Sequence, residues 1–510
     1  MALRGAETRR RAPAGGRVWV RLAPGADVPP LEQPADGRVD LRSLLRAESI
    51  VDPLLAAAAT AAAALWFGYM VARTPALALA GVACMIVALA IAVRPRFGLA
   101  LLLVIGPLPL GFATGGDRSL LGAVGGTTVN GVILTTTVVV LVFVLLARRR
   151  LVWALAAFAL PVFWVVWSTL TLLYTDWPDE GVRLAFKLWY VLLVGMLTYY
   201  VCQSSSGMSL VRRWWYVGYA VSTVLGLYWL GRYGIQTFAA GNVYAYGPFR
   251  APNPFAFYWL ATLIFAGSLW ASERRRLDLL VAVTAGIQAV ATQTRIAIAA
   301  LVVVLLLMVL LEARRGATKL AGVLVVATMV VGMLVALVTF PALQYGVFFG
   351  QVDTVGEAVS TATANRLDTQ GRDRVWSAVY EGAVSGSPIV GQGIGSSTRF
   401  FQTASTTGMA GVVHNEYLRV FYEQGLVGLV MLLAVLALSV AYLAARYRRA
   451  RGLERDLLAG AIVGVVAYAI IAITDNAMDY YAIFGQFIAV TAGAALAQRA
   501  SRRRDGQLWI

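Results

Sequence analysis

Val413-His414-Asn415-Glu416-Tyr417-Leu418-Arg419-Val420-Phe421-Tyr422-Glu423-Gln424-Gly425-Leu426-Val427-Gly428 is where a long polar segment meets a long apolar one. The apolar side continues to about residue 444, long enough to cross a bilayer as a helix. His414 is the only histidine in the chain. Imidazole is the side chain whose charge changes closest to neutral pH, so at a membrane edge it is a candidate general base. The alternative is an interfacial histidine satisfied by its neighbours. Helical spacing puts Tyr417, Leu418 and Phe421 on its side and Glu416, Arg419 and Glu423 on another face. Arg419 has both glutamates within reach, so Glu423 reads as structural. Gly425 and Gly428 read as small residues that permit close helix packing.

Working outward, apolar runs of similar length recur from about residue 53 to the end. Of the 510 residues, 59% are hydrophobic and 14% charged, which a water-soluble protein of this length would not show. The fold class that follows is an all-α polytopic membrane protein. Its net charge of +17 lies largely in short arginine clusters between apolar runs, where the positive-inside bias puts it, and so does not point to nucleic acid. Cys84 and Cys202 both fall in apolar segments without metal-ligand spacing. With a single histidine, no classical metal site and no cofactor are expected.

About 14 transmembrane helices are expected, near 53–72, 76–93, 98–113, 130–147, 151–174, 183–202, 214–231, 254–272, 277–293, 296–312, 320–340, 414–444, 457–474 and 480–497. Pro107 and Pro109 should kink the third. Residues 1–50 read as a disordered cytoplasmic tail, 51–340 as spans 1–11, 341–413 as a large external loop, 414–498 as spans 12–14 and 499–510 as a basic cytoplasmic tail. Alternating these spans from a cytoplasmic N-terminus puts Arg148-Arg149-Arg150, Arg274-Arg275-Arg276 and Arg502-Arg503-Arg504 inside. His414 and the 232–253 and 341–413 loops then fall outside. Within the large loop, about 372–385 should form a short helix with Trp376 and Tyr380 on one side.

External basic residues run against the charge bias and call for separate reasons. Arg250, Arg295, Arg366, Arg372, Arg374 and Arg399 are such residues, and Arg183 and Lys187 share a helix face. Guanidinium forks suit phosphate oxygens, so a lipid diphosphate headgroup is one reason. Snorkelling, or pairing with loop carboxylates such as Asp368 and Asp373, is the other. Gly391-Gln392-Gly393-Ile394-Gly395 has the glycine count of a phosphate loop but no βαβ context, and reads as a flexible turn. Asp475, Asn476 and Asp479, between the last two spans, could line the site, but an ordinary polar loop is the favoured reading.

Together these segments resemble the O-antigen ligase and polymerase superfamily. His414-Asn415-x-x-Leu418 with Glu423-x-Gly425-x-x-Gly428 is similar to its signature. Phe249-Arg250-Ala251-Pro252-Asn253, Thr294-Arg295, Arg374-Val375-Trp376 and Ser387-Pro388-Ile389-Val390-Gly391-Gln392-Gly393 match further family segments in order. The chain departs from the family in its span count, which exceeds the dozen typical of ligases, and in the closeness of Arg250 to Pro252-Asn253. The resemblance implies a GT-C-like, metal-independent, inverting glycosyltransferase using an undecaprenyl diphosphate-linked glycan. The acceptor would be a glycan, lipid or protein hydroxyl. His414 would act as catalytic base. Arg295, Arg374, Arg250 and Lys187, with Asn253 and Asn415, would bind the diphosphate and glycan. The implied location is a bacterial inner membrane with the site facing outward. A transporter or flippase of lipid-linked oligosaccharide is the competing expectation, and it would predict buried charges on broken helices.

Overall fold

The computed structural model describes residues 95–107, 158–233, 236–237, 243–244, 252–292, 294–312, 372–404 and 413–507. The first, second, fourth and eleventh expected spans, and Arg250 and Arg366, lie outside the described residues. Described elements are helices α1 (Pro95–Ile105), α2 (Ala159–Leu170), α3 (Pro178–Val201) and α4 (Ser205–Tyr233). A minimal antiparallel pair follows, β1 (Gln236–Thr237) with β2 (Val243–Tyr244). Then come α5 (Pro252–Glu273), α6 (Arg276–Ala291), α7 (Arg295–Glu312), α8 (Arg372–Ser385), α9 (Ser396–Ala404), α10 (Glu416–Tyr447), α11 (Leu453–Ile471) and α12 (Gln486–Gln507). A 3-10 turn (Ala477–Tyr480) and one π turn (Tyr481–Gly485) lead into α12.

Among the described residues, four helices are long and apolar enough to cross a membrane, judged by length and composition: Pro178–Val201, Asn253–Glu273, Glu416–Tyr447 and Ala477–Gln498. Helix α5 is central, with Phe255, Phe257, Tyr258 and Phe265 fully buried. Trp215 of α4 stacks on Phe265 at 4.0 Å between ring centroids, and Tyr258 meets Phe487 of α12 edge-on at 4.8 Å. Large apolar side chains of α10, including Leu426, Val430, Leu433 and Leu438, face outward, as a lipid-facing helix requires. The expected helix at 372–385 is α8. It packs Val375, Val379 and Trp376 against Leu418 and Tyr422 in a small separate core.

Segments expected on one membrane face meet one another. Arg212 of α4 joins Asp278 and Glu273 at the α5–α6 turn, and Arg96 donates to Ser204 at 3.1 Å. At the opposite end Lys187, Asn253, Thr294, His414 and Asp475 come together.

Helix α10 is not the uninterrupted span expected from 414. It breaks at Gly425, whose φ of 65° and ψ of −166° are not helical. The four backbone groups released there are taken up by one loop. Gln392 and Gly393 amides donate to the Tyr422 and Glu423 carbonyls at 3.1 and 2.8 Å. In return, the Leu426 and Val427 amides donate to the Pro388 and Ile389 carbonyls at 2.8 and 3.1 Å. Backbone groups freed inside an apolar helix need protein partners, and this loop supplies them. A Cβ on Gly425 would run into the Ile389 carbonyl, so the glycine serves the break rather than close packing of an intact helix.

Candidate active site

The 391–395 segment is correspondingly not a flexible turn. Gly391, Gly393 and Gly395 all take positive φ, and the loop is pinned from two sides. Besides the α10 break, it meets the α2–α3 connection. Tyr174 Oη donates to Val390 O at 2.7 Å, Thr175 Oγ1 to Ile394 O at 2.9 Å, and Ile394 N to Thr171 Oγ1 at 3.1 Å. The segment before the break, 416–424, holds four buried polar side chains, Glu416, Arg419, Glu423 and Gln424. Each has a partner inside the protein. Ser397 Oγ donates to Glu423 at 2.5 Å and Ser168 Oγ to Gln424 Oε1 at 3.0 Å.

His414 occupies the turn just ahead of this segment, in the left-handed region at φ 49°. Few non-glycine residues adopt it, and such strain concentrates at functional sites. The turn is over-determined by its neighbours. Trp376 Nε1 donates to Val413 O at 2.9 Å, and Asn415 Oδ1 caps α10 by accepting from Leu418 N at 2.9 Å. Glu416 N donates to Ala472 O at 2.8 Å.

The imidazole Nδ1 lies 3.4 Å from Asp475 Oδ1, and the histidine side chain keeps 29% exposure while Asp475 keeps 2%. Asp475 thus stands against the candidate base, the less favoured of the two readings that the sequence left open for it. Its carboxylate also accepts from Asn253 Nδ2 at 2.6 Å, from Tyr480 Oη at 3.2 and 3.3 Å, and from Asn476 N at 2.9 Å. Asn253 Oδ1 in turn accepts from Thr294 Oγ1 at 3.5 Å, which ties in the start of α7 at Arg295. Beside the pair, Thr474 Oγ1 and Asn476 Oδ1 are buried without a partner among the described residues, leaving polar capacity for a bound group.

Of the expected site residues, His414, Asn253 and Asn415 gather here, with Arg295 next to Thr294. Arg374 stands exposed on α8, two residues beyond Arg372, whose Nη1 donates to Thr474 O at 2.7 Å. Lys187 reaches in from α3 and pairs with Asp479 at 2.6 Å. Arg399 pairs with Asp176 at 3.2 Å and Arg183 with Glu180 at 3.2 Å. Asp475 lies 61 positions from His414, and a pair of acids in a short turn facing the end that holds the lone histidine was the available signal.

Beneath this end, an apolar cavity of about 320 Å³ opens between α2, α3, α10, α11 and α12. Trp164, Leu188, Leu432, Leu436 and Tyr468 line it, and Lys187 is its one charged lining residue among the described residues.

No curated protein matches the chain. The family model described as O-antigen ligase matches residues 280–433, a stretch that holds Arg295, Arg374, His414, Glu423, Gly425 and Gly428 and ends before the Asp475 turn. Over residues 280–433 the chain is therefore similar to the O-antigen ligase family, and four of its described helices are long and apolar enough to cross a membrane.

Proposed function

We propose that the protein is a membrane glycosyltransferase moving a glycan from an undecaprenyl diphosphate carrier to an acceptor hydroxyl on the external membrane face. One observation carries the proposal: the only histidine is held in a strained turn with Nδ1 against a carboxylate whose other partners are all fixed donors. Such a carboxylate favours the Nδ1–H tautomer and leaves Nε2 to accept a proton. It also stabilises the imidazolium as it forms. The acceptor O–H gives its proton to Nε2 while its oxygen attacks the anomeric carbon from the face opposite the diphosphate. The bond from that carbon to the diphosphate oxygen breaks, and its electron pair leaves with the carrier. Arg295, Arg374 and Arg250 neutralise the departing diphosphate. Lys187 is engaged by Asp479 and stands at the polar end of the cavity, which suits the carrier's hydrocarbon.

The transporter alternative gains one specific observation: α10 is broken, and buried charges flank the break. Those charges are paired and the break is filled by the 388–393 loop, which favours a fixed site. The test is reconstitution in liposomes with a short lipid-linked glycan. The native protein should form a new glycosidic bond, and His414→Ala should form none while still retaining donor lipid. Full product from His414→Ala would sink the mechanism. Movement of the lipid across the bilayer without bond formation would establish the transporter. Growth of product length would mark a polymerase.

A further inference from the structure

We propose that Glu416 and Arg419 are positioning residues that hold Asp475 against His414; the inference rests on the role proposed for that pair. Among the described residues, neither side chain is hydrogen-bonded to the histidine ring, whose partner is Asp475. Both grip the turn that carries its partner. Glu416 reaches both ends of the 472–480 turn: its amide donates to Ala472 O at 2.8 Å, and its Oε2 accepts from Met478 N at 3.1 Å. Asp475 lies between these two anchor points. Glu416 also follows His414 by two residues, so one residue fixes the histidine turn and the aspartate turn together.

Arg419 locks Glu416 in that posture. Its Nη2 donates to both carboxylate oxygens at 2.7 and 2.9 Å, and its Nε donates to Oε1 at 3.0 Å. The remaining nitrogen, Nη1, donates to Asp479 Oδ2 at 3.2 Å, a third hold on the same turn. Asp479 Oδ1 is bound to Lys187, which extends the network to α3. Two carboxylates therefore face two cations. Burial of Glu416 and Arg419 at 0 and 4% exposure carries a desolvation penalty that apolar residues of similar volume would avoid. What apolar residues would not provide is a directional hold on a backbone amide and an aspartate. Nδ1 and Oδ1 already stand at 3.4 Å, the long edge of hydrogen bonding, so a small shift of the turn breaks the contact.

The single histidine gives a readout independent of catalysis. Protein labelled with ¹⁵N-histidine shows one imidazole, whose Nδ1 and Nε2 shifts report its tautomer. Asp475→Asn sets the reference for a lost partner. Glu416→Gln and Arg419→Lys should move the His414 shifts toward that reference. Their kcat should fall about 100-fold, as for a misplacement near 1 Å, with the donor KM within about threefold. Arg419→Lys retains the charge and loses the fork, so it tests the inference even where Glu416→Gln does not fold. Native-like imidazole shifts in a folded variant would overturn the positioning role whatever the activity. A loss confined to KM would overturn it too. Shifted imidazole signals in a protein with no transferase activity would uphold the positioning while refuting the proposed reaction.

Discussion

His414 holds a backbone conformation that costs an ordinary residue on the order of 1–3 kcal/mol, and it is kept there by Trp376, Asn415 and Glu416 through neighbouring backbone groups. That strain aims the ring at Asp475. Asp475→Ala should lower transfer about 100-fold, the lower range of what a general base contributes, with the donor KM little changed in single-turnover and steady-state assays. Asn253→Ala should act in the same direction and less strongly, because Tyr480 and Asn476 still hold the carboxylate. An Asp475→Ala enzyme with full turnover would remove the carboxylate from the mechanism. The candidate base was legible in the sequence because it is the only histidine. Its partner was legible only as one of several polar residues that could line the site, because nothing local singles out Asp475 within Thr474-Asp475-Asn476.

At the scale of elements, the interlock between the broken α10 and the 388–393 loop brings together two motifs that sequence spacing showed only as separate. A lone glycine in an apolar helical run is ordinarily tolerated without consequence, so Gly425 read as a packing residue. Only the approach of Pro388 and Ile389 shows that the helix must open there. Gly425→Ala requires a side chain at φ 65° and a clash with the Ile389 carbonyl. It should destabilise the protein by about 1–3 kcal/mol from backbone strain alone, read as a lowered unfolding midpoint in detergent, with a larger loss when the loop cannot yield. An unchanged midpoint would mean that the helix closes over the site and that the interlock contributes little. Helix α8, by contrast, was legible, because its apolar positions recur at helical spacing within an otherwise polar loop.

For the whole molecule, the polar chemistry collects at one end of a bundle whose opposite end is tied by Arg212, Asp278 and Glu273. The cavity under the candidate site makes a prediction about donor length. Leu432→Trp, which fills it from α10, should raise the KM for a long-chain polyprenyl donor well above that for a short-chain analogue. Equal effects on both would show that the hydrocarbon lies elsewhere. The proposed use of guanidinium groups in place of a metal predicts that transfer proceeds undiminished in EDTA. Strict dependence on an added divalent ion would refute that assignment.

Composition and run length by themselves determined a helical protein with membrane-crossing helices, because hydrophobic matching to a bilayer acts on local sequence, and the arginine bias led to the expectation that its candidate chemistry lies on one face. The family motifs added the lone histidine and the glycines after it. Tertiary structure alone decided which carboxylate faces His414, that α10 is two segments, and that Arg419 grips a distant turn. Each of those depends on hydrogen bonds between residues far apart in the chain, whose geometry exists only once the helices have packed.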